Sequence, residues 1–406
     1  MYQAQSSSWV SLARFIPGLF CVHDYMHCLT VIRQELVQWR KSLQKQTSMS
    51  DPNSPDSSFS PAHVAPRRAR RGAGGTTLSD VARLAGVAPI TASRALNTPD
   101  LVSPAVLERV RHAVGQTGYV PNLLAGGLAS SKSRLVAAVI PTLIGPVFLE
   151  TVQSLTDCLA QSGYQLMLGQ SGYTESREDA LLEAIIGRRP DGIVLTGIMH
   201  SEEGRRRLMA SGIPVVETWD LTPNPIDMLV GFSHEKIGVA VAEFLQSRGR
   251  RKIAIICGDD ERAERRARAF VETGLALGLG YNSEVGIPVR RVAAPTTLGS
   301  GRAGLSYLLN AYPDIDAVFC TSDMLALGVL TEAQARDISI PQRLAVVGLG
   351  DLNFSRDLHP ALTSVRIDGT RIGHIAGRFI IDRAEGRPIE EPICDIGFSI
   401  IQRASA

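Results

Sequence analysis

From residue 134 to the C-terminus the chain alternates short apolar stretches with longer segments of helical period. The stretches are LVAAVIP (135–141), YQLMLG (164–169), GIVLTG (192–197), PVVETW (214–219), KIAIICG (252–258), VRRV (289–292), AVFC (317–320) and LAVVGLG (344–350). Between most of them, apolar residues recur three and four apart. Strands this rich in Val and Ile need cover on both faces. The alternation therefore predicts an α/β core of parallel sheets packed between helices. So many strands would strain one open sheet, and two doubly wound subdomains are expected. Aromatics make up only 5% of the chain, so the core must be built from Val, Ile, Leu and Ala.

Residues 76–122 have a different rhythm, that of three short helices. Thr77 can cap the first, LSDVARLA, with Asp80 three residues on, and Gly86 stops it. Pro89 is allowed at a first helical position and opens PITASRALN. Ser103-Pro104 opens a third helix, with Leu107, Val110 and Val114 on one face and its end near Gly118. Two helices about a tight turn at Gly86-Val87, with Ala82, Ala85 and Ala92 at the crossing, follow the helix–turn–helix plan. The second helix offers Thr91, Ser93, Arg94 and Asn97 as hydrogen-bonding side chains for a major groove. Standing alone, the same pattern would suit an ordinary helical hairpin.

Charge is unevenly spread. The whole chain carries +2, but residues 67–134 carry +7, residues 1–66 carry +1 and the remainder −6. A basic module on an acidic body suggests a polyanion partner for the module alone. The six cysteines form no CxxC pair and the eight histidines no HExxH. Neither a disulfide framework nor a metal site is expected, and no cofactor; the pattern fits a reducing cytosol. No apolar run is long enough for a transmembrane helix. No P-loop, GxSxG or strand-following GxGxxG is present, so an enzyme is not expected, and GDDE (258–261) reads as a strand-end turn. Residues 1–75 read as a disordered leader, rich in Ser and Pro from Met49 to Pro66. Met49 is a second candidate start, which would remove the first 48 residues. The basic cluster Arg67–Arg71 is either a phosphate-binding arm or a solvated tail.

TLSDVARLAGVAPITASRALN, followed by LVSPAVLERV and GYVPNLLAGGLAS, closely resembles the head of the LacI (lactose repressor) family of transcription regulators. The resemblance runs from Thr76 to the C-terminus. It implies a helix–turn–helix head over 76–121, a hinge over 122–133 and a two-lobed effector-binding and dimerisation core over 134–406, similar to periplasmic sugar-binding proteins. By this resemblance residues 89–97 are the recognition helix. Pro89, Ile90 and Arg94 take base-reading positions, and guanine is the natural partner of Arg94. Ala88 replaces the usual Ser, and Pro89-Ile90 replace more polar residues. NLLAGGLAS resembles the hinge helix, with Leu128 as the minor-groove wedge. Gly126-Gly127 weaken that helix, so it is expected to fold only on DNA. Thr77, Asn122 and Ala125 complete the expected DNA-binding set.

The core further resembles gluconate-utilisation repressors, in YQLMLGQSGY, DGIVLTG, GIPVVE, VGFSHEKIG and DAVFCTSDMLALG. This implies three chain crossings between lobes, near Phe232-Ser233, from Leu349–Asp351 into Pro360–Asp368, and near Ile393. It implies effector contacts from Phe148, Trp219, Arg266 and Asp323, the last as a helix cap at the cleft. Strand alternation places Glu217 on the face of Trp219. Trp219 and Gly350 stand where the family often has Asp, which removes repulsion against an anion. Arg266 would pair bidentately with a carboxylate, while Arg262 and Arg268 read as solvated. The implied function is a cytoplasmic, homodimeric, non-enzymatic repressor released from operator DNA by gluconate or a related sugar acid. A LacI-type regulator of another sugar or sugar phosphate, or a sugar-binding module without regulation, stays open.

Overall fold

The computed structural model describes residues 76–120, 132–143, 145–173, 175–198, 201–281 and 286–406. Three helices come first: α1 (Leu78–Ala85), α2 (Pro89–Asn97) and α3 (Pro104–Thr117). The Thr77 hydroxyl oxygen accepts from Asp80 N, and the Asp80 carboxylate accepts from Thr77 N, a reciprocal cap on α1. Gly86 ends α1 at φ +64°, a left-handed conformation that strains any side chain. Pro89 and Pro104 open α2 and α3, where a missing N–H costs nothing. Val81, Ala82, Ala85, Ala92, Ala95, Val110 and Ala113 form the core of this unit, with Leu107 and Val114 at its edge.

The rest builds two doubly wound subdomains. The first sheet holds β1 (Leu135–Ile140), β2 (Gln165–Gln170), β3 (Gly192–Thr196), β4 (Val215–Thr218), β5 (Met228–Gly231) and β11 (Ile393–Asp395), in the order β11-β5-β4-β3-β1-β2. The second holds β6 (Ile253–Gly258), β7 (Val289–Val292), β8 (Ala317–Cys320), β9 (Ala345–Gly350), β10 (Thr363–Arg366) and β12 (Ser399–Ile401), in the order β12-β10-β9-β8-β6-β7. All pairings are parallel except that of β12 with β10. Strands β4, β5, β6 and β8 are buried throughout, as a sheet covered on both faces requires.

The remaining helices are α4 (Leu149–Gln161), α5 (Glu175–Ile186), α6 (Glu202–Ser211), α7 (His234–Ser247), α8 (Glu261–Ala276), α9 (Leu298–Ala311), α10 (Asp323–Ala335) and α11 (Gly369–Ala384). Helices α4 and α11 pack together in the first subdomain, α7 and α8 in the second. The chain therefore crosses at Phe232-Ser233, at Ile367-Asp368 and between β11 and β12. The middle crossing is shorter than expected. Strands β9 and β10 share the second sheet, so residues 349–366 do not leave it.

Each expected strand is present to within a residue at either end. Strands β5, β10, β11 and β12 were not expected; each is three or four residues long, too short to show a period. Among the described residues no helix is long and apolar enough to cross a membrane.

Candidate nucleic-acid interface and effector cleft

Helix α2 buries Ala92 and Ala95 and turns Pro89, Ile90, Arg94 and Asn97 outward, with Thr91 and Ser93 half-buried. Ile90, Ser93, Arg94 and Asn97 share one face by their three- and four-residue spacing. Asn97 Nδ2 donates to Ser93 Oγ at 3.2 Å. Ile90 is 62% exposed. Thr77 is spent on the α1 cap: its hydroxyl bonds Asp80 Oδ2 at 2.7 Å. Asn122, Ala125 and Leu128 lie outside the described residues.

Between the two subdomains lies a cavity of about 100 Å³. The first subdomain supplies Thr142, Phe148, Tyr173 and Trp219; the second supplies Asp260, Arg262, Arg266, Thr296, Thr321 and Asp323. Phe232 and His234 line it at the first crossing. The rings of Phe148, Trp219, Phe232 and His234 form a chain of edge contacts, with centroids 5.0, 5.7 and 5.0 Å apart. Trp219 Nε1 donates to Thr151 Oγ1 at 3.1 Å, which satisfies the polar handle of a buried indole.

Arg266 is only 7% exposed. Its Nη1 donates to His234 Nδ1 at 2.7 Å, and its Nε has no hydrogen-bond partner. Burial draws its pKa down to about 10, with Asp260 opposing, so it stays charged at neutral pH. His234 Nε2 lies 3.1 Å from the Trp219 carbonyl. Burial first, then the Arg266 charge, holds the His234 pKa well below the usual value. Beside this pair, Arg265 bonds the buried Asp220, whose pKa burial raises while Arg265 opposes the rise. Trp219 to His234 and Asp220 to Arg265 are thus polar links between the lobes.

The cavity brings together Phe148, Trp219, Arg266 and Asp323, but not Glu217. Trp219 has φ +67°, so the strand alternation breaks just before it. Its ring sides with Val216 in the interlobe core. Glu217 is fully buried in β4 and accepts from Ile226 N at 2.7 Å. Asp323 is not a cap either. Ser322 caps α10, accepting from Leu325 N. Asp323 instead accepts from Ser364 Oγ (2.6 Å), Ser355 Oγ (2.8 Å) and Leu352 N (2.8 Å), fastening β10 and the loop before it at the cleft. Gly350 has φ +127°, which the family's Asp would adopt only under strain.

Arg262, expected in solvent, lines the cavity at 13% side-chain exposure, its guanidinium 5.8 Å from the Phe148 ring centroid. Arg268 is exposed as expected. His234 and Asp220 escaped the sequence reading, which placed Arg265 near the same strand end as Arg266 but gave it no role. The only trace of His234 was its place in VGFSHEKIG, where no charge pattern marks a ligand-facing residue.

Residues 77–122 match the model of bacterial regulatory proteins of the lacI family, and residues 242–406 that of a periplasmic binding protein-like domain. The HTH-type transcriptional regulator GntR of Pseudomonas aeruginosa is 35% identical over 336 residues, covering 82% of this chain and 97% of that protein. The regulator of the same name from Escherichia coli K12 is 30% identical, covering 80% of this chain and 96% of that one. A LacI-family regulator structure from Silicibacter pomeroyi matches with a TM-score of 0.76 at 30% identity, over 81% of this chain and 99% of that one. These relatives are transcription regulators and not enzymes. With its three-helix head and two-lobed core, the chain belongs to the LacI family of bacterial transcription regulators.

Proposed function

We propose that this chain is a cytoplasmic repressor of sugar-acid utilisation genes, released from operator DNA by gluconate or a close derivative. Arg266 carries the reading of the effector. It is a buried cation on the cavity wall, bonded on one side to a neutral imidazole and to no carboxylate among the described residues. A buried charge without a partner is costly, and an effector carboxylate would supply the partner through paired N–H donors. The indole of Trp219 and the hydroxyls of Thr142, Thr296 and Thr321 suit the apolar and polar sides of a polyol.

The chain acts as a homodimer, because two operator half-sites require two heads. Pro89, Ile90, Thr91, Ser93, Arg94 and Asn97 read the major groove, and Thr77 serves the interface through its cap on α1. Residues 122–133 form the hinge, in which Asn122, Ala125 and Leu128 meet the minor groove. Effector binding changes the closure of the lobes and so separates the paired hinges. A coupling of about 1–3 kcal/mol suffices for such a switch.

The test is titration of a fluorescent palindromic operator, selected from random DNA, with and without gluconate. Tight binding released by gluconate supports repressor, effector and sign together. Tight binding indifferent to gluconate and to its keto and phosphorylated derivatives sinks the effector reading and leaves the DNA-binding one.

A further inference from the structure

His234 is the first residue of α7, whose N-terminus Ser233 caps by accepting from Lys236 N at 3.1 Å. The ring is 3% exposed, and both nitrogens are engaged, Nε2 with the Trp219 carbonyl and Nδ1 with Arg266 Nη1. A carbonyl oxygen only accepts and a guanidinium only donates. The ring therefore carries its proton on Nε2 and offers a lone pair at Nδ1. The groups facing it preserve that form. Arg266, Arg262 and Arg265 of α8 repel a second proton, and Asp220, with Oδ2 3.8 Å from Nε2, is already bonded to Arg265. A carboxylate in the same place would neutralise Arg266 and occupy its fork. The imidazole takes one donor and leaves the charge.

We propose that His234 determines effector specificity: as a neutral Nε2–H imidazole bridging the two subdomains, it orients Arg266 and leaves the guanidinium charge available to an effector carboxylate. This rests on the sugar-acid reading of the cleft. Because Trp219 belongs to the first lobe and Arg266 to the second, the ring also ties the orientation of the anion receptor to lobe closure.

Three variants of the full chain separate the ring's properties. His234→Gln keeps a donor and an acceptor without charge. His234→Leu keeps neither. His234→Asp keeps an acceptor and adds a negative charge. Each is checked by thermal unfolding and titrated calorimetrically with gluconate and with glucose. Nitrogen NMR of labelled histidine reads the ring, its signals assigned by their loss in the Gln variant. The expected result is a neutral Nε2–H ring, near-wild-type gluconate affinity in the Gln variant, and a loss of about tenfold or more in the folded Leu and Asp variants. The Asp variant should also lose its preference for gluconate over glucose.

Wild-type gluconate affinity in His234→Asp would overturn the proposal, as would an Nδ1–H or doubly protonated ring in wild-type protein. If wild-type protein binds neither gluconate nor its keto and phosphorylated derivatives, the sugar-acid reading fails, and the ring decides the rest. A neutral Nε2–H form retained on acidification to about pH 5 upholds the positioning of Arg266. A ring that titrates normally overturns it.

Discussion

Gly238 of α7 faces the backbone carbonyl of Arg266 in α8 so closely that a β-carbon would sit 2.3 Å from that oxygen and 2.8 Å from Phe270 N. The first turn of α7, with His234, thereby lies beside the Arg266 side chain, and the polar chain from Trp219 through His234 to Arg266 can close.

Replacing Gly238 with Ala should separate the two helices. We expect a stability loss of about 1–3 kcal/mol from overpacking, with gluconate affinity reduced as the His234–Arg266 bond lengthens. Denaturant unfolding and calorimetric titration check both. Unchanged values in both would show that the helices adjust without disturbing the receptor.

Arg94→Ala should weaken specific operator binding by about 1–3 kcal/mol, the value of one bidentate base contact, and relax selectivity at one base pair. A set of single-base operator variants reads this out. A uniform loss across all of them would make Arg94 a phosphate contact instead.

Arg266→Ala should abolish the effect of gluconate on operator titrations, because the cavity loses its unpaired cation. A wild-type response would remove Arg266 from the effector site and, with it, the case for an acidic ligand.

Asp323→Ala should cost about 2–4 kcal/mol, since it strands the buried hydroxyls of Ser355 and Ser364 together with the half-buried Leu352 N–H. Thermal and denaturant unfolding measure it. A loss below about 0.5 kcal/mol would mean that β10 and the loop before it find other acceptors.

Glu332 supplies a test by pH. Arg336 (2.8 Å), Ser306 (2.8 Å) and Arg302 (3.0 Å) all bond its carboxylate, holding its pKa at about 2 against an ordinary 4.5. A depressed carboxyl pKa contributes stability that is present above the ordinary value and lost as pH falls through the folded one. Glu332→Gln should therefore lower the melting temperature at neutral pH. The gap to wild type should hold constant above about pH 5 and narrow from about pH 4.5 downward. A gap independent of pH would trace the effect to shape and not charge.

The sequence alone determined the head, the strands and the order of the lobes, because each rests on local rules. Thr77 and Asp80 are three residues apart, Pro89 opens a helix, and the Val/Ile runs of β1, β3 and β6 can only be doubly covered strands. It also brought Phe148, Trp219, Arg266 and Asp323 to one site through family likeness. Only the tertiary structure decided what those residues do there. The positive φ at Trp219 turns its ring away from the face of Glu217, which no period-two count anticipates. Asp323 spends its oxygens on Leu352, Ser355 and Ser364, up to 41 residues away in the chain. His234 meets Arg266 and Trp219 across separations of 32 and 15 residues, through a helix contact set by one glycine. Secondary structure follows neighbours in sequence; the charge state and partners of a buried side chain follow neighbours in space.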